Sequence, residues 1–201
     1  MPKLAAEVRQ ERRQRLIDSA WRCAGKAGYR DMTVDDVCNE AGLSKGAFYG
    51  YFANKQALML ALLDDDAAQI DREIERLESQ GLSPAQRVRR FTRWMLERGE
   101  DAARVQVRAD LWATILTEPE VRARLAAAMD ERRIRLRQWI EAGLSSGEFV
   151  DVPANALASA LLALADGLLL HGALDPSAFR WPRIRRALDV LLQGIQRADG
   201  S

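Results

Sequence analysis

Residues 33–55 read Thr33-Val34-Asp35-Asp36-Val37-Cys38-Asn39-Glu40-Ala41-Gly42-Leu43-Ser44-Lys45-Gly46-Ala47-Phe48-Tyr49-Gly50-Tyr51-Phe52-Ala53-Asn54-Lys55, and their caps and apolar positions decide the fold. Thr33 is an N-cap residue three positions before Asp36, as in a capping box, and Val34, Val37 and Cys38 give the following helix an apolar side. Gly42 marks a turn. Ser44 then caps a short helix predicted to reach about Phe52, and Asn54 caps another that starts at Lys55. A helix, the turn Ala41-Gly42-Leu43 and a second helix have the form of a helix-turn-helix.

In the second of these helices Phe48 and Phe52 are an i, i+4 pair, as are Lys45 with Tyr49 and Ala47 with Tyr51. If the phenylalanines pack inward, the lysine and both tyrosines face out. Exposed tyrosine rings beside an ammonium suit a phosphate-lined groove, which engages the hydroxyls and the charge together. Gly46 sits inside the helix, where glycine costs about 1 kcal/mol relative to alanine; close approach to a DNA backbone or base edge is a demand that would keep it there. Lys55 puts a cation in the first turn of a helix, against the macrodipole, and a phosphate bound at that point reverses the sign.

Working outward, Leu16, Ile17, Ala20, Trp21, Ala24 and Ala27 form the stripe of a first helix over residues 9–27, stopped by Gly28. The helix beginning at Lys55 is expected to run to Leu77, before the break Gln80-Gly81-Leu82-Ser83-Pro84. Further helices are expected at 84–98, 103–117, 120–145, 154–171 and 182–196. The six prolines fall between periodic stretches, and neither a strand pattern nor an internal repeat is present. The expected fold is all-α with about nine helices: a three-helix DNA-binding domain over residues 1–55 and a helical ligand-binding and dimerisation domain over 56–201.

A chain of 201 residues, 48% hydrophobic, buries one sizeable core or two unequal ones and is too long for a lone DNA-binding module. Its net charge of +1 by itself implies neither nucleic acid nor an acidic partner. Lys3, Arg9, Arg12, Arg13 and Arg15 against Glu7 and Glu11 nevertheless concentrate positive charge at one end, either as an arm over phosphate or as an ordinary solvated helix start. Cys23 and Cys38 lack CxxC spacing; they read as small buried hydrophobes in a reducing cytoplasm, with a redox switch as the sharper alternative. His171 is the sole histidine, so no metal site is expected; no cofactor is expected either, and no Gly-rich phosphate loop or partnered nucleophile points to an enzyme. The apolar stretch Ala156 to Leu170 is shorter than a membrane span and contains Asp166; it reads as a buried helix, and no membrane partner is expected.

Thr33-Val34-Asp35-Asp36-Val37 followed by Ala41 through Lys55 resembles the TetR family of transcriptional regulators, with the likeness extending over about Arg13 to Leu63. The resemblance implies that Ser44 caps a recognition helix entering the major groove. Lys45, Gly46, Ala47, Tyr49, Gly50 and Tyr51 would then touch bases or phosphates, while Thr33 and Lys55 hold the backbone. Ala47 stands where many relatives have threonine and Gly50 where a larger side chain is common, so base contacts are expected to be thin. Lys45 would reach a guanine and Ala47 a thymine methyl.

The family architecture further implies a homodimer through the last two helices, where Ile184, Ala187, Leu188, Leu191, Leu192 and Ile195 form a stripe. It also implies a small apolar or aromatic effector bound between the middle helices. Phe91, Met95, Trp112, Met129, Trp139, Asp166 and His171 are the candidate lining, with Asp110, Thr114 and Gln138 as further polar contacts. The expected function is a cytoplasmic, non-enzymatic repressor released from a pseudo-palindromic operator by that effector. The alternative is a helical carrier or enzyme with a helix-turn-helix-like corner.

Overall fold

The computed structural model describes residues 2–197, leaving out the side chains of residues 2–5, 102–103 and 111–116. The expected effector contacts Trp112 and Thr114 therefore lie outside the described residues. Among the described residues there are nine α-helices: α1 Pro2–Ala27, α2 Val34–Ala41, α3 Lys45–Tyr49, α4 Lys55–Glu78, α5 Pro84–Glu97, α6 Ala102–Thr117, α7 Pro119–Ser145, α8 Ala154–Leu174 and α9 Trp181–Gly194. A 3-10 turn over Arg98–Glu100 follows α5, and one isolated antiparallel bridge joins Phe149 to Gln196.

Helix starts follow the caps anticipated from the sequence. Thr33 accepts from the Asp36 N–H at 3.1 Å while the Asp36 carboxylate accepts from the Thr33 N–H at 2.8 Å, closing the capping box. Ser44 accepts from the Ala47 N–H at 3.2 Å and Asn54 from the Ala57 N–H at 2.8 Å. Gly42 ends α2 at φ 63°, a left-handed conformation that glycine adopts without a Cβ penalty. Three boundaries differ from expectation by three residues or more, one of them the end of α8, which lies at Leu174 rather than at residue 171. The first helix begins at Pro2 rather than near residue 9, since proline is accepted in a first turn and no breaker follows it. The recognition helix α3 ends at Tyr49 rather than Phe52, with the Gly50 N–H donating to the Gly46 and Ala47 carbonyls.

The chain forms two compact units, Met1–Ala68 with Ala102–Val121 and Gln69–Asp101 with Arg122–Ser201. The first is built on Leu16, Ile17, Ala20, Val37, Phe48, Leu58 and Leu62, all buried. Here α6 lies on α1: Arg104 pairs with Asp66 at 3.3 Å and its guanidinium covers the Trp21 ring at 4.9 Å.

The second unit is centred on Ile70, Leu77, Phe91, Met95, Leu136, Trp139, Ile140 and Phe149. Glu148 fixes the start of α5 by accepting from the Ser83 hydroxyl at 2.6 Å and the Ala85 N–H at 3.0 Å. α8 buries only the stripe Ala158, Leu161, Ala165 and Leu169, so the buried-helix reading holds for one face. By length and composition α8 is also apolar enough to cross a membrane. On α9, Leu188 and Leu192 turn into the unit's own core, whereas Val190 and Leu191 remain 60% and 64% exposed. The apolar stripe expected to serve a dimer is thus divided, Leu188 and Leu192 facing the unit's own core and Leu191 facing out, because 3.6-residue periodicity sends i, i+4 partners to one side and their neighbours to another.

Candidate nucleic-acid interface

Phe48 carries the recognition helix. It is fully buried, with Phe52 tilted against it at 5.5 Å between centroids and the Tyr49 ring edge-on at 5.4 Å. Although α3 stops at Tyr49, the Phe52 N–H still donates to the Phe48 carbonyl at 2.9 Å, so the i, i+4 relation of the two rings survives. This anchoring turns Tyr49 outward, 56% exposed, with Thr33, Ser44, Lys45, Gly46 and Gly50 exposed as well; Ala47, Tyr51 and Lys55 are half-buried.

The two glycines differ in cause. A Cβ on Gly46 would meet nothing closer than the Ser44 hydroxyl at 3.8 Å, so nothing inside the fold requires glycine there. At Gly50 a Cβ would press on the Ala47 carbonyl at 3.2 Å, and the fold itself accounts for part of that choice.

The charges are held rather than loose. Lys45 pairs with Asp35 at 2.8 Å, both side chains more than half exposed. The Lys55 ammonium donates to the Arg30 carbonyl at 2.9 Å and stands 4.8 Å over the Tyr29 ring, while the Tyr29 hydroxyl donates to the Lys55 carbonyl at 2.8 Å. Burial holds the Lys55 ammonium somewhat below the usual lysine range, and it pushes the Tyr29 phenol up to about 12, so that hydroxyl stays a donor. Arg9 lies over the Tyr51 ring at 5.9 Å and Arg13 over Phe52 at 5.4 Å, setting α1 guanidinium groups beside the turn that follows α3. Tyr29 and these arginine contacts were not singled out from sequence; a basic helix start was the only available signal.

Cys23 and Cys38 are free and buried, and burial pushes both thiols up, which disfavours the thiolate.

Of the expected effector contacts in the second unit, Phe91 and Met95 come together. With Thr92, Leu136, Leu161, Leu162 and Ala165 they line a narrow apolar crevice, nowhere wide enough for a water molecule. Trp139 stands edge-on to Phe91 at 5.9 Å and donates its indole N–H to Glu78 at 3.2 Å. Met129 and Asp166 are half-buried and do not line the cleft, and His171 is exposed, 6.4 Å from the Phe179 ring. Gln138 is exposed, and Asp110 belongs to the first unit, where it accepts from the Tyr29 N–H.

A short buried-anchored helix after a glycine turn, with polar side chains and cations projecting around it, defines a helix-turn-helix DNA-binding protein. Residues 16–62 match the model of bacterial regulatory proteins of the tetR family, and residues 84–197, more than half the chain, match the C-terminal domain of BetI-type transcriptional repressors. The chain belongs to the TetR family of transcriptional regulators, with a C-terminal part of the BetI type.

It is 31% identical to the HTH-type transcriptional repressor Rv1474c of Mycobacterium tuberculosis over 98% of this chain and 100% of that protein. With the HTH-type transcriptional repressor AcnR of Corynebacterium glutamicum it shares 30% identity over 93% of this chain and 94% of that one. A transcriptional regulator from Saccharomonospora viridis, solved in complex with choline, has the same fold at a TM-score of 0.80 and 23% identity, covering 94% of this chain and all of its own.

Proposed function

We propose that this chain is a homodimeric, cytoplasmic repressor without catalytic activity. In this reading residues 1–55 grip a pseudo-palindromic operator, and residues 56–201 pair the subunits and take up a small effector that releases the DNA. The observation that carries it is the outward placement of Tyr49 beside Lys45 and Gly46, on a helix whose only buried side chain is Phe48. Tyr49, Tyr51, Thr33 and Lys55 hold phosphates, Lys45 reaches a guanine and Ala47 a thymine methyl, with Ser44 and Gly50 completing the surface.

A second copy is the occupant that suits the exposed Leu164, Leu174, Val190 and Leu191 of α8 and α9. That pairing also suits α8 better than a lipid environment, since one of its faces already packs in a protein core.

For the effector, the cleft around Phe91 and Met95 is the candidate site, and it must open to admit a ligand. Its lining carries no charged side chain, so a neutral apolar or aromatic compound is what the lining favours. Met129, Trp139, Asp166 and His171 remain proposed contacts of the opened state.

Selection of bound duplexes from a random pool tests the reading. Enrichment of a two-fold site with half-sites about 34–36 Å apart, or a multiple of that spacing, is expected. Release from that site is then screened with neutral aromatic compounds and with choline as the cationic comparison. Absence of any enriched palindrome, or a Leu191→Glu variant that sediments like the wild type and binds equally well, would overturn the DNA-binding and dimer readings respectively.

A further inference from the structure

Helix α1 ends at Gly28, whose φ is +84° and whose N–H donates to the Ala24 carbonyl at 2.8 Å. The next backbone N–H, that of Tyr29, points at a side chain from far along the chain. It donates to Asp110 Oδ2 of α6 at 2.7 Å, while Asp110 Oδ1 accepts from Gln106 Nε2 at 3.0 Å. The fit is close, since a Cβ on Gly28 would stand 3.0 Å from the same Oδ2. A carboxylate accepting a backbone N–H makes one of the stronger protein hydrogen bonds, so the turn after α1 is tied to α6 at one point.

From Tyr29 the contacts lead directly to Lys55. The phenol donates to the Lys55 carbonyl, the ring lies beneath the Lys55 ammonium, and the adjacent Arg30 carbonyl accepts from that ammonium. Residues 29 and 30 therefore fix both ends of Lys55, and Asp110 fixes residue 29. α6 is itself fastened independently, through Arg104 and Arg108 to Asp66 of α4 at 3.3 and 3.9 Å. The carboxylate at position 110 is thus presented from a secured helix.

We propose that Asp110 is a positioning residue for DNA binding: by holding the Tyr29 N–H it sets the turn on which the Lys55 ammonium rests, and so places that charge for an operator phosphate. The proposal rests on the reading of Lys55 as a phosphate contact, and the experiment separates the two.

Full-length protein and the duplex recovered by selection are titrated over a salt series. Lys55→Ala removes one phosphate contact per subunit and is expected to flatten the slope of log affinity against log salt by about 0.9 per subunit, about 1.8 for a dimer. Asp110→Ala is expected to lower affinity about tenfold, to flatten the slope by one to two units, and to add less than about twofold in the Lys55→Ala background. Asp110→Asn, whose amide oxygen accepts the same N–H, is expected to stay within about threefold of wild type.

Should Asp110→Ala fail to fold, Tyr29→Phe interrogates the same linkage from its other end and is expected to flatten the slope in the same sense. An unchanged slope in Lys55→Ala refutes the phosphate contact. A normal loss in Lys55→Ala, together with an unchanged slope in Asp110→Ala or Tyr29→Phe or additive losses in the double variant, refutes the role of Asp110.

Discussion

Replacing Asp35 by asparagine is expected to destabilise the protein slightly and to tighten its grip on DNA. Lys45 Nζ lies 2.8 Å from Asp35 Oδ1, with the two side chains 60% and 56% exposed. To reach a phosphate or a guanine, Lys45 must leave that carboxylate, which then faces the DNA. An exposed pair of this kind contributes about 0.2–1 kcal/mol, so freeing the lysine in both subunits of a dimer recovers about 0.4–2 kcal/mol, or roughly 2- to 30-fold in operator affinity. The opposite sign applies to folding, because Asp35 occupies the first turn of α2, where an acid stabilises the helix by about 0.3–1 kcal/mol. Anisotropy titrations against the selected duplex at 0.15 M salt, paired with urea denaturation, read the two effects separately. The reasoning fails if Asp35→Asn leaves affinity unchanged or lower, or if its gain is undiminished in a Lys45→Ala background, where no lysine remains to be freed.

Two further perturbations bear on the second unit. Burial pushes the Glu148 carboxyl up, but the bonds from Ser83, Ala85 and Ser146 together outweigh it and hold the group below its ordinary value of 4.5. Its stabilisation is therefore fully present above pH 4.5 and is lost as pH falls through the lower folded value. Glu148→Gln is expected to unfold about 1–3 kcal/mol more easily at pH 7, with the difference shrinking at acid pH; a pH-independent difference in denaturation midpoint would show that the charge has no part in the cap. Gly143→Ala gains about 1 kcal/mol of helix propensity but puts a Cβ into the fully buried Phe149 ring, for a net loss of about 2 kcal/mol. A variant as stable as wild type would mean that the ring does not seat there.

Much of the candidate interface was legible because its determinants are local. Capping by Thr33, Ser44 and Asn54 depends on residues three positions away, and the inward pairing of Phe48 with Phe52 depends on one turn of helix. The end of α3 was less legible: Gly50 closes the helix by bonding back to Gly46 and Ala47, and the turn that follows keeps the same apolar spacing as a continuing helix would. On α9 the sequence supplies a stripe but does not say which of its leucines the chain covers itself. Packing onto α5 resolves that, with Arg89 of α5 paired to Asp189 at 3.2 Å beside the inward-facing Leu188 and Leu192.

The sequence by itself determined an all-helical chain, the position of its helix-turn-helix and the outward placement of Lys45 and Tyr49, since periodicity and capping act over three or four positions. Only the tertiary structure decided what holds those residues in place. The Tyr29 N–H meets a carboxylate 81 positions away, and Trp181 lies against Gly99 and Gly172, where any Cβ would strike its ring. Such contacts join segments with no fixed relation in sequence, so they exist only once the chain has closed around them.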